Sequence, residues 1–228
     1  MPVDFSKIPS PAYVLEEKLL RKNLELIRSV QERSGATIIL ALKGFSMYKM
    51  FPMVKRYLSG ATASSLNEAR LIVEEMGCLA HTYCPAYKEE EFNEMMEYSS
   101  HLTFNSLSQY ELYKDRVFHH REKISMGLRI NPEYAEVETD MYNPAIRGSR
   151  LGITRNLLGD TLPEGIEGLH SHTLCENDSY VLERTLVHIE EKFGDLLHQV
   201  KWLNLGGGHL MTRAGYDHEH LISLVQRL

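Results

Sequence analysis

The alternation of short β-type runs with stretches of helical period constrains this chain more than any other feature. Apolar runs at 38–42, 60–64, 79–84, 101–105, 124–130, 166–172 and 201–205 end in Gly, Ser, Asn or Pro. Helical patterns lie near 16–33, 49–58, 65–76, 88–98, 106–115, 178–193 and 217–228. Such alternation means parallel strands joined by right-handed crossovers. Reactive residue types cluster at the C-terminal ends of the strands, which points to a TIM-type (β/α)₈ barrel. A doubly wound open sheet is the rival, but no GxGxxG follows the first strand. Seven strands are one short of a closed barrel. Residues 1–228 therefore read as one α/β barrel domain that stops before its eighth strand.

The helix ends carry their own signals. Ser65-Leu-Asn-Glu68 and Ser106-Leu-Ser-Gln109 have the spacing of capping boxes, and Gly35 and Gly77 stand where helices should stop. A loop from about 131 to 148 has no periodicity and contains two Asn-Pro turns, the kind of long connection that often carries function.

Composition removes several classes of function. A net charge of −6 without a basic patch argues against nucleic acid or an anionic membrane surface as a partner. No apolar run approaches the about 18 residues of a membrane helix. Cys78, Cys84 and Cys175 are odd in number and lack CxxC spacing, which fits a reducing compartment. No secretory leader is read at the N-terminus, so a cytoplasmic protein is the expectation.

Three strand ends carry the chemistry. Lys43 closes Ile38-Ile-Leu-Ala-Leu-Lys43, an amine at the mouth of a buried strand and a candidate Schiff-base nucleophile. His172 closes Ile166-Glu-Gly-Leu-His-Ser-His172. Gly206-Gly207-Gly208 follows Trp202-Leu-Asn-Leu, and bare backbone amides after a strand suit an anion. Together an amine, a flat imidazole and a glycine run suit an aldehyde cofactor that carries a phosphate. Each has a plainer reading: a snorkelling surface lysine, a core histidine, a left-handed turn. Glu68 has a sufficient local role as the partner of Ser65. Arg129 and Arg150 stand at a strand end and in a loop, where either could orient a carboxylate or a cofactor hydroxyl. Cys175 reads as a buried thiol, and Tyr13 as a packing residue. His170 and His172 point the same way from one strand, so metal ligation with Asp140, Asp178, His209 or Asp217 is an alternative that nothing in the sequence forces.

Pro11-Ala-Tyr-Val14, Ala-Leu-Lys43-Gly-Phe45, Ser64-Ser65-Leu-Asn-Glu68, His172-Thr-Leu-Cys-Glu-Asn177 and Gly206-Gly-Gly-His209 occur in this order. In order and spacing they resemble the fold-type III pyridoxal-phosphate decarboxylases, the alanine racemase/ornithine–diaminopimelate decarboxylase superfamily. Within it they look most like the carboxynorspermidine decarboxylase group. The resemblance implies that pyridoxal 5'-phosphate is bound through Lys43, that His172 stacks on its ring and that Gly206, Gly207 and Gly208 hold its phosphate. It places Glu68 in the network around the ring. It also implies decarboxylation of carboxynorspermidine or carboxyspermidine in polyamine biosynthesis, by a homodimer, with no metal. Ornithine-type and diaminopimelate-type enzymes follow the histidine with a small Gly-Ser turn. This chain has Thr173-Leu-Cys-Glu-Asn177 instead, so Glu176 and Asn177, with Arg150, are assigned to the substrate side. In that superfamily strand eight and a C-terminal β-domain complete the site, and residues 11–15 read as an extended strand belonging to that absent domain. The expectation is a fragment inactive or weakly active alone. A metal-dependent barrel hydrolase using His170 and His172, and a catalytically dead binding or regulatory protein of the same fold, are the alternatives.

Overall fold

A computed structural model describes residues 4–228. Seven strands form one all-parallel sheet in sequential order: β1 Leu40–Ala41, β2 Ala61–Ala63, β3 Ala80–Tyr83, β4 Ser99–Phe104, β5 Ser125–Arg129, β6 Ile166–His170 and β7 Trp202–Asn204. Each lies inside the run expected for it except β4, which begins two residues earlier. The helices are α1 Glu17–Ser34, α2 Phe51–Val54, α3 Leu66–Leu71, α4 Glu89–Glu97, α5 Leu107–Phe118, α6 Ser179–Leu197 and α7 His218–Gln226. A π-helical turn, Ile72–Met76, extends α3 to Gly77.

Local chemistry explains most of these boundaries. Ser65 and Ser106 cap α3 and α5, accepting from the amides of Glu68 and Gln109. The partner side chains reach back: Glu68 Oε2 accepts from Ser64 N at 2.6 Å, and Gln109 Oε1 from Asn105 N at 2.7 Å. Both capping boxes are therefore formed one residue wider than the minimal motif. Gly35 and Gly77 end their helices in the left-handed region, as their positions imply.

The sheet curls. Helices α1 and α7 flank opposite edges of the sheet, yet they touch through the Arg33–Glu219 ion pair and a hydrogen bond from Gln226 Nε2 to the Arg33 carbonyl, 2.6 Å. A sheet whose first and last helices meet is bent nearly into a barrel, while β1 and β7 remain unpaired with each other. The core lies between sheet and helices, with Phe51, Ile72, Leu102, Phe104, Leu169 and Phe193 fully buried.

Inside the curl one aromatic ring organises the lower layer. Trp202 lies flat across β5 and β6, where Gly127 and Gly168 leave room for it. A Cβ on Gly168 would sit 2.0 Å from the indole. Trp202 Nε1 donates to Ser125 Oγ at 2.9 Å, which donates to Glu167 at 2.8 Å. Beside it the rings of His81 and His101 stack at 3.8 Å.

Residues 11–16 have no regular structure and Tyr13 is fully exposed, so the packing role expected of it is not found. Cys175 is likewise exposed rather than buried, because it sits in the loop beyond β6. Among the described residues no helix is long and apolar enough to cross a membrane.

Candidate active site

Parallel strands deliver their C-terminal residues to one rim, and three of the expected groups meet there. Lys43 follows β1, His172 follows β6 and Gly206–Gly208 follow β7. Lys43 Nζ lies 3.2 Å from His172 Nε2, and the Gly207 amide donates to His172 Nδ1 at 3.1 Å. Burial, with the positive charges of Lys43 and Arg129, pushes the imidazole down to about 4, so it is neutral at pH 7.

The glycine run has a more specific explanation than its sequence suggests. A Cβ on Gly206 would stand 2.5 Å from His172 Nδ1, and one on Gly208 would stand 2.3 Å from the Leu174 carbonyl oxygen. Both residues also have positive φ, +71° and +96°. These two glycines therefore let the β7 loop pack against the β6 loop. Only Gly207 has nothing within 4 Å of where its Cβ would be, so it alone faces open space.

Glu68 is occupied locally as the cap described above, on the same rim at the end of β2. Asn177 ties three segments together. Its amide donates to the Gly208 carbonyl (2.9 Å), its carbonyl accepts from Leu210 N (3.1 Å), and its Nδ2 donates to the Glu136 carbonyl of the long loop (3.1 Å). Glu176 beside it is exposed and holds φ +54°, a left-handed conformation that non-glycine residues rarely adopt. Among the described residues its carboxylate has no ion-pair partner. Arg150 is exposed on the rim and contributes its backbone carbonyl to Asn105 Nδ2 at 2.8 Å.

Arg129 does more than its position at a strand end suggested. It is 3% exposed and donates to the Tyr83 hydroxyl and, at 2.9 Å, to the His172 carbonyl. Tyr83 in turn donates to Asn105 Oδ1 at 2.9 Å. His172 is thus fixed at its main chain by a buried cation and at its ring by Gly207. Sequence reasoning missed Tyr83 and Asn105, although their place at the ends of neighbouring strands was a usable signal.

His170 is buried below His172, its ring edge-on to Tyr83, and burial holds it well below the usual imidazole range. The two histidine rings are 6.2 Å apart. Among the described residues no group of three or more His, Cys, Asp or Glu is arranged to hold a metal ion.

No family model matches the chain. It is 47% identical over 220 residues to the carboxyaminopropylagmatine decarboxylase of a Synechocystis species, covering 96% of this chain and 56% of that one. It is 46% identical, with the same coverages, to the carboxynorspermidine/carboxyspermidine decarboxylase of Campylobacter jejuni. The crystal structure of carboxynorspermidine decarboxylase from Campylobacter jejuni, complexed with norspermidine, superposes with a TM-score of 0.87 at 44% identity, again over 96% and 56% of the two chains. The chain spans little more than half the length of these relatives, corresponding to their N-terminal part. By sequence and by its curled parallel sheet, this chain is similar to the N-terminal part of the carboxynorspermidine/carboxyspermidine decarboxylases.

Proposed function

We propose that this chain carries the cofactor-facing part of a pyridoxal 5'-phosphate-dependent decarboxylase acting on a carboxylated polyamine of the carboxynorspermidine or carboxyspermidine class. The observation that carries the reading is the contact chain from Lys43 Nζ through the His172 ring to the Gly207 amide. An amine, a neutral planar imidazole and a backbone turn open at Gly207 are the donor set that a phosphorylated aldehyde needs. The residues present fit the group.

In this reading Lys43 binds the cofactor aldehyde and His172 supports its ring. The amides of the glycine run receive the phosphate, beside the open face of Gly207. Two of those amides are engaged within the protein, Gly206 with Asn204 Oδ1 at 2.8 Å and Gly207 with His172. Those bonds shape the turn, and the phosphate would be held against its open side at Gly207. When bound, the cofactor supplies an electron sink for the bond pair released as CO₂ leaves. The protein's share is orientation and proton placement. Arg129 fixes His172 at its carbonyl, and Lys43 Nζ and His172 Nε2 form a pair between which a proton can be held at the rim. Glu68 keeps the β2 end of the rim in shape, where the cofactor would be held.

The substrate's distal ammonium groups call for carboxylates. Glu133 and Glu136 on the long loop are already paired with Lys192 and Arg184. Glu176, exposed and unpaired among the described residues, is the carboxylate we assign to an ammonium. Asn177 sets its position, and Arg150 is assigned to the substrate carboxylate.

The test is direct. Incubation with pyridoxal 5'-phosphate followed by borohydride reduction should leave the phosphopyridoxyl mass on the peptide containing Lys43, and Lys43→Ala should abolish it. Label on another lysine, or none, would sink the proposal. In the full-length context, Glu176→Gln should raise KM for carboxynorspermidine about tenfold with little change in kcat, the pattern of lost ground-state binding.

A further inference from the structure

We propose that Gly207 is a positioning residue whose backbone N–H holds His172 as the Nε2-protonated tautomer, so that the ring presents an N–H donor, and no lone pair, toward Lys43.

A backbone amide can only donate. The Gly207 N–H points at His172 Nδ1 across 3.1 Å, so Nδ1 must offer its lone pair. A neutral imidazole carries one proton, which then sits on Nε2. That atom is the one 3.2 Å from Lys43 Nζ. The opposite tautomer would set two N–H groups against each other at Nδ1.

Lys43 could in principle compete. Its ammonium form would seek the Nε2 lone pair and so favour the other tautomer. Structure decides between the two donors by their freedom to move. Gly206 N is held by Asn204 Oδ1, and the Gly208 carbonyl is held by Asn177 N, so the turn carrying the Gly207 amide is clamped on both sides. Gly206 packs close against the imidazole, since a Cβ there would lie 2.5 Å from Nδ1. Lys43 is exposed and can turn its charge to water. The conflict is therefore settled at the lysine. Its contact with Nε2–H is a hydrogen bond only when the amine lone pair is free, which is the form that adds to a carbonyl.

This deepens the proposed function, and its catalytic meaning rests on that reading, but the measurement does not. Histidine-¹⁵N-labelled protein without cofactor, at pH 7, should show for His172 an unprotonated Nδ1 and a protonated Nε2 in a long-range proton–nitrogen spectrum. Assignment is by loss of the signal in His172→Phe. A protonated Nδ1, or averaged shifts of two tautomers, would overturn the proposal even in a protein that binds cofactor. Conversely, the pattern can be found in a protein that fails to label at Lys43.

Two variants separate the amide from the bulk of the residue. Gly207→Ala keeps the N–H and has open space for its methyl group, so the nitrogen pattern should persist. Gly207→Pro removes the donor and should shift the ring toward a tautomer mixture. Retention of the full Nε2–H pattern in the proline variant would refute the assignment. Should that variant not fold, the spectra of the parent and of the alanine variant decide alone.

Discussion

The middle strands and the two outermost strands of the same sheet obey different rules. Strands β4, β5 and β6 have neighbours on both sides, and Leu102, Phe104, Leu128 and Leu169 are fully buried behind them. At the seam, β1 pairs over two residues and β7 over three, each on one side only. A cleft of about 1260 Å³ opens there, lined by Ile38, Leu203, Leu205 and Val225 and reaching inward to His81 and His101. Helices α1 and α7 close it from outside. Curvature is thus set by the middle strands and their helices, whereas the seam is held by helix contacts and leaves apolar surface half covered.

Core truncation should show the largest difference. Phe104→Ala removes a fully buried ring and should cost about 3–5 kcal/mol, while Leu203→Ala, half-buried at the seam, should cost about 1 kcal/mol. Urea unfolding of both variants measures the gap. Equal losses would erase the distinction between the two regions.

Acid should act next, and from the seam. Burial pushes His81 down to about 4, and burial also lowers His101. The unfolded chain takes up a proton near pH 6.5 that folded His81 refuses until about pH 4. This stability is complete above pH 6.5 and is lost as pH falls toward 4. The loss from His81 amounts to roughly 2 kcal/mol by pH 5. His81→Gln should flatten the slope between pH 7 and 5 by that share only, because His170 and His172, also depressed by burial, titrate in the same window. An unchanged slope would show that the stacked pair is already hydrated through the cleft.

Trp202 offers a sharper probe, because it bridges the two regions. Gly168→Ala places a methyl group 2.0 Å from the indole and should cost about 1–3 kcal/mol through overpacking. Combining it with Trp202→Leu should cost less than the sum of the two single changes, since the smaller side chain frees the space. Strict additivity in that double-mutant cycle would mean that the ring does not lie across Gly168.

The difference between the regions also tracks what the sequence could tell. Strand positions and helix ends were legible because they follow from local chemistry, as with Ser65, Ser106, Gly35 and Gly77. Lys43, His172 and the glycine run were legible as strand-end residues, and they converge. Contacts between distant strands were not legible. Nothing local announces that Gly127 and Gly168 serve Trp202, or that Gly206 and Gly208 make room for the β6 loop. Arg129 read as a rim residue, but its guanidinium turns inward to Tyr83 and the His172 carbonyl. That direction depends on the sheet's curl, which no single segment encodes.

Glu167 should give the smallest effect, and one that isolates the lower rim from the seam. Hydrogen bonds from Lys123, Lys201 and Ser125 hold its carboxyl down at about 2. A depressed carboxylate stabilises the fold above its unfolded value of about 4.5, and that contribution disappears as pH drops from 4.5 toward 2. Both lysines are largely exposed, at 74% and 66%, so solvent screens the pairs and about 0.5–1 kcal/mol is expected. Unfolding of Glu167→Gln should therefore lie slightly below the parent at pH 6 and converge with it near pH 2.5. Added salt should shrink the gap at pH 6. The window lies mostly below that of His81, so the two residues can be told apart by pH alone. A gap at pH 6 that salt leaves untouched would place the weight on the uncharged contact with Ser125, and through it on Trp202.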